Sequence, residues 1–148
     1  NIKFVIVGDG RYQAEFKKEI MDRGVQKKFI MIPRQSAERI PELLSACDAA
    51  FLSFMNDPLW TKTIPAKLQS YMACGMPVIA SAEGETRRII EEAKCGLCCG
   101  IGNVGELAAG IKSIMQMDLE TMRNNSRLYC GSHFDKKKLM DQMDVYFV

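Results

Sequence analysis

The sequence predicts an α/β fold: a doubly wound parallel sheet with helices on both faces. Three observations predict it. Short β-branched and aromatic runs alternate five times with longer amphipathic stretches. The runs are apolar throughout, as in strands buried on both faces of a parallel sheet. Glycines stand where the helical stretches end, at Gly24 and Gly75.

The elements follow in order. Lys3-Phe-Val-Ile-Val-Gly8 reads as a strand entering the tight turn Gly8-Asp9-Gly10. Residues 12–23 carry Phe16 and Ile20 among charges and read as a surface helix. Phe29-Ile-Met-Ile-Pro33 is the second strand, and residues 36–47 form a helix with Ile40, Leu43, Leu44 and Cys47 on one face. The third strand covers residues 48–54, and residues 55–63 form a loop. Residues 65–74 read as a helix with Thr63 near its cap and Pro65 in its first turn. A strand at 76–81, a helix at 85–94, a strand at 96–99 and a helix at 104–117 complete the alternation, and the remainder to Val148 reads as helical. The result is a Rossmann-like, three-layer α/β/α arrangement.

The chain has 148 residues, enough for one domain and too few for two of ordinary size, so residues 1–148 are read as one domain. It begins at Asn1-Ile2-Lys3 directly on a strand, which is the expectation for a fragment. With 47% hydrophobic and 26% charged residues it has the balance of a globular protein. A net charge of +2 lacks the basic excess of a nucleic-acid binder, so nucleic acid is not an expected partner. The six cysteines mostly sit in apolar runs and read as reduced, small apolar side chains in a reducing compartment. The cluster Cys95-Gly-Leu-Cys98-Cys99 lacks the second ligand pair that a zinc site needs, His133 being the only histidine, so no metal is expected.

Ligands of doubly wound sheets bind beyond the carboxyl ends of the strands. The candidate loops are therefore 8–10, 33–34, 55–67 and 82–85. Gly8 and Gly10 allow a sharp turn and close backbone approach to a ligand. The third glycine of a dinucleotide fingerprint is replaced by Gln13, and no acidic residue ends the second strand to grip a ribose. A nicotinamide enzyme is thus a weak reading. The helix start Thr63-Ile64-Pro65-Ala66-Lys67 offers amides, a positive dipole end and a cation to a phosphate.

Taken together, Gly8-Asp9-Gly10, Ile40-Pro-Glu-Leu-Leu-Ser-Ala-Cys-Asp48-Ala-Ala-Phe-Leu-Ser53, Tyr71-Met-Ala-Cys-Gly-Met-Pro77-Val-Ile-Ala-Ser81 and Gly96-Leu-Cys-Cys with the helix from Val104 resemble a known pattern. It is that of the C-terminal, donor-binding domain of GT4-like group 1 glycosyltransferases, which have the GT-B fold. The segment Thr63-Ile-Pro-Ala-Lys67-Leu-Gln-Ser-Tyr-Met is similar to the branch that makes bacterial cell-surface polysaccharides.

The resemblance implies a nucleoside diphosphate sugar donor, UDP-linked by expectation, transfer to a hydroxyl acceptor with retention, and no cofactor or obligatory metal. It places Ile32, Pro33 and Arg34 by the nucleobase, Thr63, Ile64, Pro65 and Lys67 by the diphosphate, and Gly84 and Glu85 by the sugar or phosphates. The family's two glutamates, eight positions apart, fall on Lys62 and Ser70; Ser70 retains a hydroxyl for the ribose. Catalytic residues are not assignable, because the resemblance puts the acceptor and much of the machinery on an N-terminal domain of the same parent. The isolated chain is therefore expected to bind donor without transferring sugar. The parent is expected in the cytoplasm, peripheral to the inner membrane face through a lipid-linked acceptor, with Lys136-Lys137-Lys138 as a candidate contributor. A non-catalytic α/β interaction or regulatory module, and less favourably a sugar-nucleotide epimerase half, are the alternatives.

Overall fold

The computed structural model describes residues 2–144. The five predicted strands form, all pairing parallel, in two sheets: β1 (Phe4–Val7) with β2 (Phe29–Ile32), and β3 (Ala50–Ser53), β4 (Val78–Ser81) and β5 (Gly96–Cys99) in that order. The single sheet expected from the alternation is thus described as a pair and a triplet. Internal contacts divide the chain into two compact units, Asn1–Pro41 and Glu42–Val148.

In the first unit, α1 (Gln13–Asp22) covers one face of the β1–β2 pair. Phe29 stacks on Phe4 with ring centroids 5.3 Å apart and receives the edge of Phe16 at 5.6 Å, while Ile20 is buried. Side chains alternate along a strand, so Val5, Val7 and Ile30 point the other way and stay more than a third exposed. Uniformly apolar runs had implied burial on both faces; within this unit that holds for one face only.

The second unit has its core on both faces of the triplet. The central strand β4 is buried at all four positions. Val78 and Ala80 join Leu52 and the helices α4 (Ala66–Ala73), α5 (Gly84–Ala93) and α7 (Leu119–His133) through Leu68, Met72, Ile89, Ile90 and Tyr129. Ile79 faces the opposite cluster with Leu97 and the helix α6 (Val104–Ile114) through Leu107, Ile111 and Ile114. Period two in the strand thereby sorts neighbours in sequence into separate apolar layers. α7 is stapled to strand ends by polar groups: the buried Ser126 hydroxyl donates to the Met76 carbonyl at 2.7 Å, and Arg123 Nη2 donates to the carbonyls of Cys47 and Asp48 at 3.1 and 3.2 Å.

Three boundaries differ from expectation. The helix over 36–47 is a 3₁₀ turn (Ala37–Arg39) followed by α2 (Ile40–Ser45). Pro41 lacks the N–H that a continuous α-helix would use, so it sits in the first turn of a new one. The 55–63 loop holds a short helix, α3 (Pro58–Thr61), whose cap Asp57 accepts from the Leu59 amide at 2.8 Å. α4 begins at Ala66 with Pro65 as its cap residue, and not at Pro65 with Thr63 as cap. The reason is local: the residue before a proline is disfavoured in the α region, so Ile64 cannot serve as a first helical residue under a Thr63 cap. The last helix, α8, covers Lys136–Asp144; the helical expectation for 145–148 lies outside the described residues. No helix among the described residues is long and apolar enough to cross a membrane.

Candidate functional site

In the first unit, Gly8 ends β1 with φ +111°, a conformation that side chains disfavour. Its N–H donates to the Ile32 carbonyl at 3.0 Å and its carbonyl accepts from Gln13 Nε2 at 3.3 Å, locking the β1 turn to the end of β2. Beyond these strand ends lies a cavity of about 330 Å³ lined by Gly8, Asp9, Gln13, Lys17, Met31, Ile32, Pro33 and Arg34. It unites four of the predicted residues, Gly8, Ile32, Pro33 and Arg34, and adds the cation Lys17. Gly10 is not among its lining residues; it borders a neighbouring depression with Tyr12 and Phe16, and a Cβ at either glycine would meet nothing within 4 Å. Of the glycine pair, Gly8 alone has a positive φ and lines the cavity. Lys17 lies one helical turn from Gln13, a spacing that puts both on one face of α1. That spacing was the available signal for it.

In the second unit, Thr63, Ile64 and Pro65 lead into α4 and Lys67 stands in its first turn. No side chain caps this end. The amides of Ala66 and Lys67 precede the first possible intrahelical acceptor, whereas the Leu68 amide turns back to the Pro65 carbonyl at 3.0 Å. No acidic residue stands in the first turn, and Lys62 and Lys67 are both exposed. The α4 N-terminus is thus an electropositive end with backbone donors available. Ser70 is exposed but its hydroxyl donates to the Ala66 carbonyl of its own helix at 3.0 Å, leaving its lone pairs for any outside donor.

Gly84 opens α5 at φ +63°, and a Cβ there would overlap the Thr61 carbonyl oxygen. Glu85 in the same turn is gripped by Arg88 through Nε at 2.9 Å and Nη2 at 2.5 Å, which holds its carboxyl below the usual range. Glu83 is likewise held by Arg87, whose Nη1 also reaches Glu91 and the Cys98 carbonyl. At the end of β5 the Gly100 amide donates to Glu106 Oε2 at 2.8 Å. The carboxylates around the strand tips of β4 and β5 are therefore engaged, and the two lysines flanking the α4 entrance set its sign. The sequence reading missed Arg87 and Arg88 as the partners of these acids, although their i, i+4 and i, i+3 spacings from Glu83 and Glu85 show it.

The six thiols are unpaired. Burial raises the pKa of Cys47, Cys95, Cys98, Cys99 and Cys130, for Cys98 to about 12 against the opposing pull of Arg87. Among the described residues no three His, Cys, Asp or Glu side chains group as a metal site.

This architecture recurs in solved enzymes. HepE of Anabaena, crystallised in complex with UDP, superposes with a TM-score of 0.79 at 22% identity, over 99% of this chain and 40% of that one. Sucrose-phosphate synthase of Thermosynechococcus elongatus gives 0.78 at 21% identity, over 97% and 37%. These likenesses define the fold as the α/β architecture of GT-B glycosyltransferases. A curated relative, the 2-deoxystreptamine glucosyltransferase of Streptomyces kanamyceticus, is 24% identical over 112 residues, 76% of this chain. The family pattern of "Glycosyl transferases group 1" matches residues 1–129, and the chain belongs to that family. It spans 28% of the curated relative's length and 40% of HepE's.

Proposed function

We propose that this chain binds the donor, a UDP-linked sugar, as the C-terminal half of a retaining, GT4-like glycosyltransferase of the bacterial surface-polysaccharide type. The observation that carries the reading is the N-terminus of α4, which no side chain caps and whose first turn presents an exposed Lys67. Amides and a cation fixed there meet the charge that builds on a departing diphosphate without reorganising. The complexes of HepE with UDP and with UDP-glucose support it, because that protein shares the fold.

The base is assigned to Ile32, Pro33 and Arg34, and the sugar or phosphates to the backbone at Gly84 and to Glu85. Because Arg88 engages both Glu85 oxygens, Glu85 contributes to a sugar only through their remaining lone pairs. The diphosphate is held by helix and lysine, so the reading requires no cofactor and no metal. An N-terminal domain of the same parent supplies the acceptor site, and the chain alone binds donor without turnover. The parent acts at the cytoplasmic membrane face on a lipid-linked acceptor.

Titration calorimetry with UDP, UDP-glucose and GDP tests this, in buffer with and without EDTA. Saturable UDP binding insensitive to EDTA is expected, and Lys67→Ala should weaken it about threefold to tenfold, a surface charge–dipole effect, with an unchanged melting temperature of the free protein. Binding of no nucleotide at millimolar concentration would return the chain to the non-catalytic module, in which Lys62 and Ser70 are losses of function.

A further inference from the structure

Residues 61–65 lead from α3 into α4. Its cap residue makes no side-chain hydrogen bond, and Lys62 and Ile64 are exposed. Two contacts reach this segment from the first turn of α5. At Gly84 the backbone approaches so closely that a Cβ would overlap the Thr61 carbonyl oxygen, and φ is +63°, so both space and conformation require glycine. Two residues on, Thr86 is fully buried and its Oγ1 donates to the Thr63 carbonyl at 3.4 Å. A buried hydroxyl inside an otherwise apolar helix face, beside Ile89 and Ile90, is retained at a desolvation cost unless its bond matters.

We infer that Thr86 and Gly84 form a latch that fixes Thr61–Thr63, and that Thr86 is thereby a positioning residue for the diphosphate site at the α4 N-terminus. Thr86 touches no ligand in this scheme. It sets where the Ala66 and Lys67 amides and the Lys67 side chain stand, and a misplacement of the order of an ångström at such a site is costly. The inference rests on the donor-binding reading above.

The test compares Thr86→Val, which keeps the shape and removes the hydroxyl, with Thr86→Ser, which keeps the hydroxyl. UDP affinity is measured by calorimetry, and amide hydrogen exchange is measured over residues 61–67 without ligand. A roughly fivefold to tenfold loss of UDP affinity in Thr86→Val is expected, as for one lost hydrogen bond, with faster exchange over that segment, and near-native values for both in Thr86→Ser. Equal affinity in all three proteins overturns the latch while leaving donor binding intact, as does a loss that serine fails to rescue. A wild-type protein that binds no UDP overturns the donor reading itself and the latch's role with it. Should Thr86→Val fail to fold, Thr86→Ala, which also removes the hydroxyl and adds no atom to the buried site, carries the same expectation.

Discussion

Cys98 shows how one side chain reports its surroundings. Its thiol is pushed up to about 12 from an ordinary value of 9.0, first by burial and against the pull of Arg87. A group whose folded pKa is raised contributes stability that is whole below the unfolded value and is lost as pH climbs toward the folded one. The window is therefore about pH 9 to 12. Melting temperatures of the native protein and of Cys98→Ala between pH 7 and 11 should run parallel up to pH 9, then diverge, the native protein falling faster; parallel curves throughout would refute the assignment. The sequence reading of the cysteines as small apolar side chains fits this chemistry. At this scale the reading missed a partner: Arg88, one turn on, engages both oxygens of Glu85, and a local spacing rule was enough to see it.

Helix ends were legible where a rule about backbone freedom applied and obscure where two such rules competed. Gly24 and Gly75 mark true stops, each at positive φ. α5 ends differently: Lys94 takes a left-handed conformation at φ 51° without being glycine. An L-residue there carries a strain that glycine lacks, so Lys94→Gly is expected to stabilise the protein by roughly 0.5–1 kcal/mol, seen as a higher denaturant midpoint at unchanged slope. A lower midpoint would mean that the lysine side chain compensates the strain. At α4, the expected threonine cap lost to the restriction that Pro65 places on Ile64. The consequence for function is favourable, because the proline cap leaves the first amides without a side-chain acceptor. The 3₁₀ turn before α2 and the α3 helix in the loop were hidden because three or four residues are too few to show the i, i+3, i+4, i+7 pattern used to find helices.

At the scale of the whole molecule, the alternation of strand and helix identified every strand and the parallel pairing, yet not which edges join. The five strands are described as a pair and a triplet, and strand edges carry no sequence label beyond their apolar character. Of the predicted residues, Gly8, Ile32, Pro33 and Arg34 line one cavity in the first unit; in the second, Gly84 lies close to Thr61, and the Thr63 carbonyl accepts from Thr86. Thr86 and Lys17 escaped the reading, since a buried threonine and a surface lysine are ordinary until a fold gives them neighbours.

The central claim is that the start of α4, which no side chain caps, receives a diphosphate, and amide-resolved NMR during a UDP titration tests it most directly. The account expects the Ala66, Lys67 and Leu68 amides to shift early and saturably, with inorganic pyrophosphate moving the same set and uridine alone leaving it still. UDP-induced shifts confined to other parts of the chain, or none at millimolar ligand, would contradict it.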